Sequence, residues 1–128
     1  MEVKSIPMAK ILIIDDEVAI LDSVTTMLER KNFSVSSILN WENISGYINT
    51  FPPDLILLDV SFNGQDVKAI CKELKTNTST KKIPLILFSG NYGVERIAHN
   101  YVADGFIPKP FKTSNLLSII ESVKQVLN

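Results

Sequence analysis

The sequence predicts an α/β fold, a doubly wound parallel sheet of five strands with helices on both faces. Two observations predict it. Three apolar runs, Ile11-Leu12-Ile13-Ile14, Leu55-Ile56-Leu57-Leu58 and Leu85-Ile86-Leu87-Phe88, are short, branched and continuous rather than alternating. Strands covered on both faces read this way. Helical patterns lie between the runs, and a strand-helix unit repeated five times implies a parallel sheet.

The elements follow in order. Residues 1–8 read as a short tail, and 9–128 as one domain. After the first run, Leu21, Val24 and Leu28, flanked by Ile20 and Met27, form an apolar stripe at helical spacing. Lys31-Asn32 closes that helix. Phe33 to Ile38 alternates weakly, as a strand near the sheet edge would. Asn40 suits the N-cap of a short helix through Ile44, Tyr47 and Ile48. Gly46 weakens this helix, and Pro52-Pro53 stops it. Asp66 caps a helix carrying Val67, Ile70, Cys71 and Leu74. Thr76 to Lys82 is polar and reads as a loop. Asn91 to Asn100 is a weakly patterned helix, and Gly105-Phe106-Ile107 a short strand. Thr113 caps the last helix, whose stripe is Leu116, Ile119, Ile120, Val123 and Leu127.

Composition narrows the function classes. A chain of 128 residues fits one domain. A net charge of −1 gives no reason to expect direct binding to nucleic acid or to an anionic membrane. No stretch approaches the length of a membrane span, and no signal peptide opens the chain. The expected location is the cytoplasm. A single cysteine excludes an internal disulfide.

The polar residues that stop the apolar runs carry the chemistry. In open α/β sheets, ligands bind beyond the carboxyl ends of the strands. Those ends carry Asp15, Asp16, Asp59 and Ser89, and Lys109 follows the fifth strand. Three carboxylates on one rim repel each other unless a cation neutralises them. Mg²⁺ suits the task, since it takes one or two carboxylates and keeps several waters. Asp59 is then placed to attack phosphorus and form an acyl phosphate. Lys109 would neutralise charge on the transferring group, and the Ser89 hydroxyl would donate to one of its oxygens.

Asp15-Asp16-Glu17, Asp59, Ser89 and Lys109-Pro110-Phe111, in that order and each after a strand, resemble the receiver domain of two-component response regulators. The resemblance spans about residues 9 to 127. It implies a flavodoxin-like sheet in the order 2-1-3-4-5 and phosphorylation of Asp59 by a partner histidine kinase or phosphotransfer protein. It implies Mg²⁺ held directly by Asp16, Asp59 and the backbone carbonyl of Ser61, with Asp15 acting through water. Ser89 and Phe106 would form the switch pair. The surface formed by the helix over 91–100, the fifth strand and the last helix, including Tyr92, Tyr101, Val102 and Phe106, would contact a downstream protein or a second copy. Such a domain catalyses only its own phosphorylation and dephosphorylation and is not a turnover enzyme.

The chain departs from the family's usual pattern. Asn63 stands where proline is usual, Val67 where glycine is usual, Phe106 replaces a commoner tyrosine, and Gly90 a frequent alanine. These changes affect the loops around the pocket. Ser61 and Asn91 are small polar residues that would admit a hydrolytic water.

Other readings are weaker. A Mg²⁺-dependent phosphohydrolase with an aspartyl intermediate would share the chemistry, but an Asp-x-Asp pair and a cap insertion are absent. A flavodoxin-like electron carrier needs a Ser/Thr/Gly-rich phosphate loop, which Asp15-Asp16-Glu17 is not. A degenerate receiver would not keep the acidic pair, Asp59 and Lys109 together. Cys71 reads as core packing and His99 as a surface residue. Lys72, Lys75, Lys81 and Lys82 read as a solvated face.

Overall fold

The computed structural model describes residues 10–15, 18–38, 44–59, 67–89, 102–108 and 113–127. Strands β1 (Lys10–Ile14), β2 (Ser34–Ile38), β3 (Leu55–Asp59), β4 (Leu85–Ser89) and β5 (Gly105–Pro108) form one sheet. Its order is β2-β1-β3-β4-β5, and every pairing is parallel. The expected topology is therefore present. Helices α1 (Val18–Glu29), α2 (Ile44–Thr50), α3 (Val67–Thr76) and a C-terminal helix (Thr113–Leu127) cover it. The helix expected over 91–100, the caps Asn40 and Asp66, and His99 lie outside the described residues. Among the described residues no helix is long and apolar enough to cross a membrane.

The continuous runs are explained by two separate cores. Leu12, Ile14, Ile56, Leu58, Leu85 and Leu87 pack with residues of α2 and α3. Ile11, Ile13, Leu55, Leu57, Ile86 and Phe88 pack with residues of α1 and the C-terminal helix. Successive residues of a strand point to opposite faces, so a strand sandwiched between two helical layers needs apolar residues at every position. β2 lies at the sheet edge, where its Ser34-Val35-Ser36-Ser37-Ile38 sequence is partly exposed.

Helix α1 ends by a Schellman motif. The Phe33 amide donates to the Leu28 carbonyl at 3.2 Å, and the Asn32 amide to the Glu29 carbonyl at 3.0 Å. Asn32 takes the left-handed conformation this requires, with φ at 68°. Asparagine tolerates that region better than most residues.

At the opposite end of the sheet from the acidic rim, two aspartates extend the strand ladders. Asp54, just before β3, donates its amide to the Lys10 carbonyl and accepts the Lys10 amide on Oδ2, both at 2.7 Å. Asp104, just before β5, does the same with Leu85, at 2.8 and 2.7 Å. Each carboxylate thus takes a backbone donor at the start of the neighbouring strand. Lys75 strengthens the second clamp, with Nζ 2.8 Å from Asp104 Oδ2 and 3.1 Å from the Ile83 carbonyl.

Lys75 corrects the sequence reading, which grouped it with Lys72, Lys81 and Lys82 on a solvated face. Those three are exposed, whereas the Lys75 side chain is only 13% exposed. It lies in the last turn of α3, where cations are favoured near free carbonyls, and Asp104 draws it across to β5. Asp104→Ala removes this ion pair and leaves the amide of fully buried Leu85 without its acceptor. The expected cost is about 2–3 kcal/mol, measured as a lower urea midpoint. Asp54→Ala, at a more exposed site, should cost about 1 kcal/mol.

Candidate functional site

Asp15 directly follows β1 and Asp59 closes β3. These strands are hydrogen-bonded neighbours with Ile14 level with Leu58, so the two aspartates stand side by side, one position further on. The Asp15 amide continues the ladder to β2, donating to Ile38 at 3.3 Å. By strand alternation Asp15 shares a face with Ile11 and Ile13, and Asp59 with Leu55 and Leu57. Both therefore lie on the side covered by α1 and the C-terminal helix.

Their burial is the main electrostatic fact. Asp15 is 0% and Asp59 1% exposed, and Oδ2 of each is sealed from solvent. Among the described residues only Thr80 joins them as a buried polar residue. It donates its hydroxyl to the Leu74 carbonyl at 2.6 Å and finishes α3. Two carboxylates on adjacent strand ends are costly to desolvate, because burial and mutual repulsion both oppose their charge. A hard cation relieves both penalties. Carboxylates from two adjacent strand ends are a donor set that Mg²⁺ takes, with water completing the octahedron. The residues present fit that ion.

Across the rim, Ser89 closes β4 one position beyond Phe88, which is level with Asp59, and Pro108 of β5 is level with Ser89. Strand ends bearing Asp15, Asp59 and Ser89 are thus brought together. Asp16, Ser61, Lys109, Asn63, Gly90, Asn91, Tyr92 and Tyr101 lie outside the described residues. Phe106 is half-buried, and its side chain packs against the core on the α2 and α3 side. Among the described residues no group of three or more His, Cys, Asp or Glu side chains could hold a metal.

Cys71 is fully buried in α3, as expected of a core residue. Burial pushes its thiol up to about 12, so it is uncharged at neutral pH and a poor nucleophile. An open groove of about 950 Å³ runs between α1 and the C-terminal helix. Asp22 lines it beside Arg30 and Lys31. It lacks the paired buried acids. The clamps at Asp54 and Asp104 escaped the sequence reading. The available signal was an aspartate immediately before an apolar strand, at two places in the chain.

Comparison with known proteins agrees with this arrangement. Residues 11–121 match the family described as the response regulator receiver domain. The chain is 29% identical over 116 residues to the phosphate regulon transcriptional regulatory protein PhoB of Escherichia coli, covering 89% of this chain and 51% of PhoB. It is 27% identical over 118 residues to the DNA-binding dual master transcriptional regulator RpaA of Synechocystis, covering 91% of this chain and 49% of RpaA. The chain therefore spans about half the length of these relatives. The chemotaxis protein CheY4 of Vibrio cholerae has the same fold, with a TM-score of 0.81 at 22% identity over 91% of this chain and 98% of CheY4. With buried aspartates ending β1 and β3 and the family match running through all five strands, the chain belongs to the response regulator receiver domain family of two-component signalling.

Proposed function

We propose that Asp59 is the phospho-acceptor of this domain, with a histidine kinase or phosphotransfer protein as donor and Mg²⁺ as the required cation. The observation that carries the reading is the joint burial of Asp15 and Asp59 at adjacent strand ends. A fold does not keep two neighbouring charges out of water without a use for them.

One Asp59 carboxylate oxygen attacks the donor's phosphorus. The phosphorus–nitrogen bond to the donor imidazole breaks, and its electron pair stays on that nitrogen. An acyl phosphate remains on Asp59. Asp15, Asp16, Asp59 and the Ser61 carbonyl would hold Mg²⁺, which supplies charge neutralisation on the phosphoryl oxygens. Lys109 neutralises further charge, and the Ser89 hydroxyl donates to a phosphoryl oxygen. Attack of water on phosphorus returns the free carboxylate and inorganic phosphate. The domain thus resets itself without a turnover substrate. Phosphorylation biases a pre-existing equilibrium in which Ser89 and Phe106 change position. The state so favoured engages a downstream protein or a second copy.

Incubation with Mg²⁺ and acetyl phosphate, followed by intact-mass measurement and peptide mapping, tests this. The expected product is a single phosphoryl adduct on the peptide containing Asp59, which does not form when EDTA is present throughout the incubation. An adduct that maps elsewhere, or none under saturating donor, overturns the assignment.

A further inference from the structure

Val102 has φ at 60°. This left-handed region is uncommon for any side chain other than Asn or Asp, and for a β-branched residue it is a true outlier. Val102 is also 66% exposed, so burial of its own side chain does little to offset the strain. Such a conformation persists only where its surroundings over-determine it. Here the constraint is visible two residues on. Asp104 exchanges two backbone-level hydrogen bonds with Leu85 and pairs with Lys75, while Ala103 packs against the core. Strain and restraint are thus adjacent.

Both act on the weakest part of the sheet. β5 is an edge strand of four residues, paired only with β4, and it ends in a proline that has no amide to donate. We propose that β5 opens locally, as a unit distinct from the rest of the sheet, and that left-handed Val102 drives this opening against the hold of Asp104. Opening carries Phe106 out of its contacts with the α2 and α3 core and frees the segment leading to Lys109. The inference concerns the unmodified fold and holds whether or not Asp59 accepts phosphate.

Hydrogen–deuterium exchange of the unphosphorylated wild-type chain, without Mg²⁺, is the first test. Residues 104–107 should exchange at least about tenfold faster than 11–14 and 55–58, the pattern of a sub-global opening. Equal rates in all three segments overturn the proposal. Val102→Asn keeps a side chain while tolerating the left-handed region, and should slow exchange at 104–107 about tenfold. Val102→Gly should act in the same direction. Asp104→Asn, which loses the ion pair to Lys75, should speed exchange at 104–107. No change at 104–107 in these variants would overturn the idea.

Discussion

Asp59→Asn should abolish the phosphoryl adduct and, with no divalent cation present, make the domain more stable. The amide oxygen is a far poorer nucleophile than the carboxylate and cannot form the acyl phosphate. The stability change has a separate cause. Asp15 and Asp59 are both withdrawn from water on neighbouring strand ends, and removing one charge relieves repulsion and desolvation together. A gain of about 1–3 kcal/mol is expected, read as a higher urea midpoint in EDTA. Mg²⁺ should raise the wild-type midpoint, by about 2.7 kcal/mol when the free ion is 100-fold above its Kd, and raise the variant's much less. If the variant were phosphorylated to the wild-type level, Asp59 would lose its role. If Mg²⁺ stabilised both proteins equally, the cation would bind somewhere other than between these two aspartates.

The largest loss of stability is expected at Phe88. Its side chain is fully buried, and it belongs to the core that Leu116 and Ile120 of the C-terminal helix share with Leu21, Val24 and Leu28 of α1. Truncation to alanine should cost about 3–5 kcal/mol, a large share of the roughly 5–15 kcal/mol that holds a domain of this size folded. The loss should appear as early unfolding of the C-terminal helix in a urea titration, because the cavity opens beneath it. Phe51, at 58% exposure and in tilted contact with Tyr47, provides the contrast: its truncation should cost under about 1 kcal/mol. Similar costs at the two positions would contradict the two-core description.

The fold was legible because its strands are buried on both faces, and that leaves a mark in composition as well as in periodicity. Leu55 to Leu58 cannot be read as an alternating strand, and its two parities do enter different cores. The weak alternation in Phe33 to Ile38 matched an edge strand for the same reason in reverse. Asp15 and Asp59 were legible because a carboxylate at the end of an apolar run has few structural uses. Lys75 was not. A lysine in the last turn of an amphipathic helix looks the same in sequence whether it meets water or a partner, and its partner Asp104 lies 29 residues away. The Val102 strain was equally invisible, since nothing local in Tyr101-Val102-Ala103 requires a left-handed backbone.

The paired ladder extensions at Asp54 and Asp104 have a consequence for how such a chain can vary. Asp54 sets the height of β3 against β1, and from that anchor five residues of stiff strand reach to Asp59. Each residue of strand advances about 3.3 Å and reverses the face presented. One residue inserted between Asp54 and Asp59 would therefore both overshoot Asp15 and turn the acceptor carboxylate toward the wrong helical layer. The distance from floor to rim thus admits no change of length.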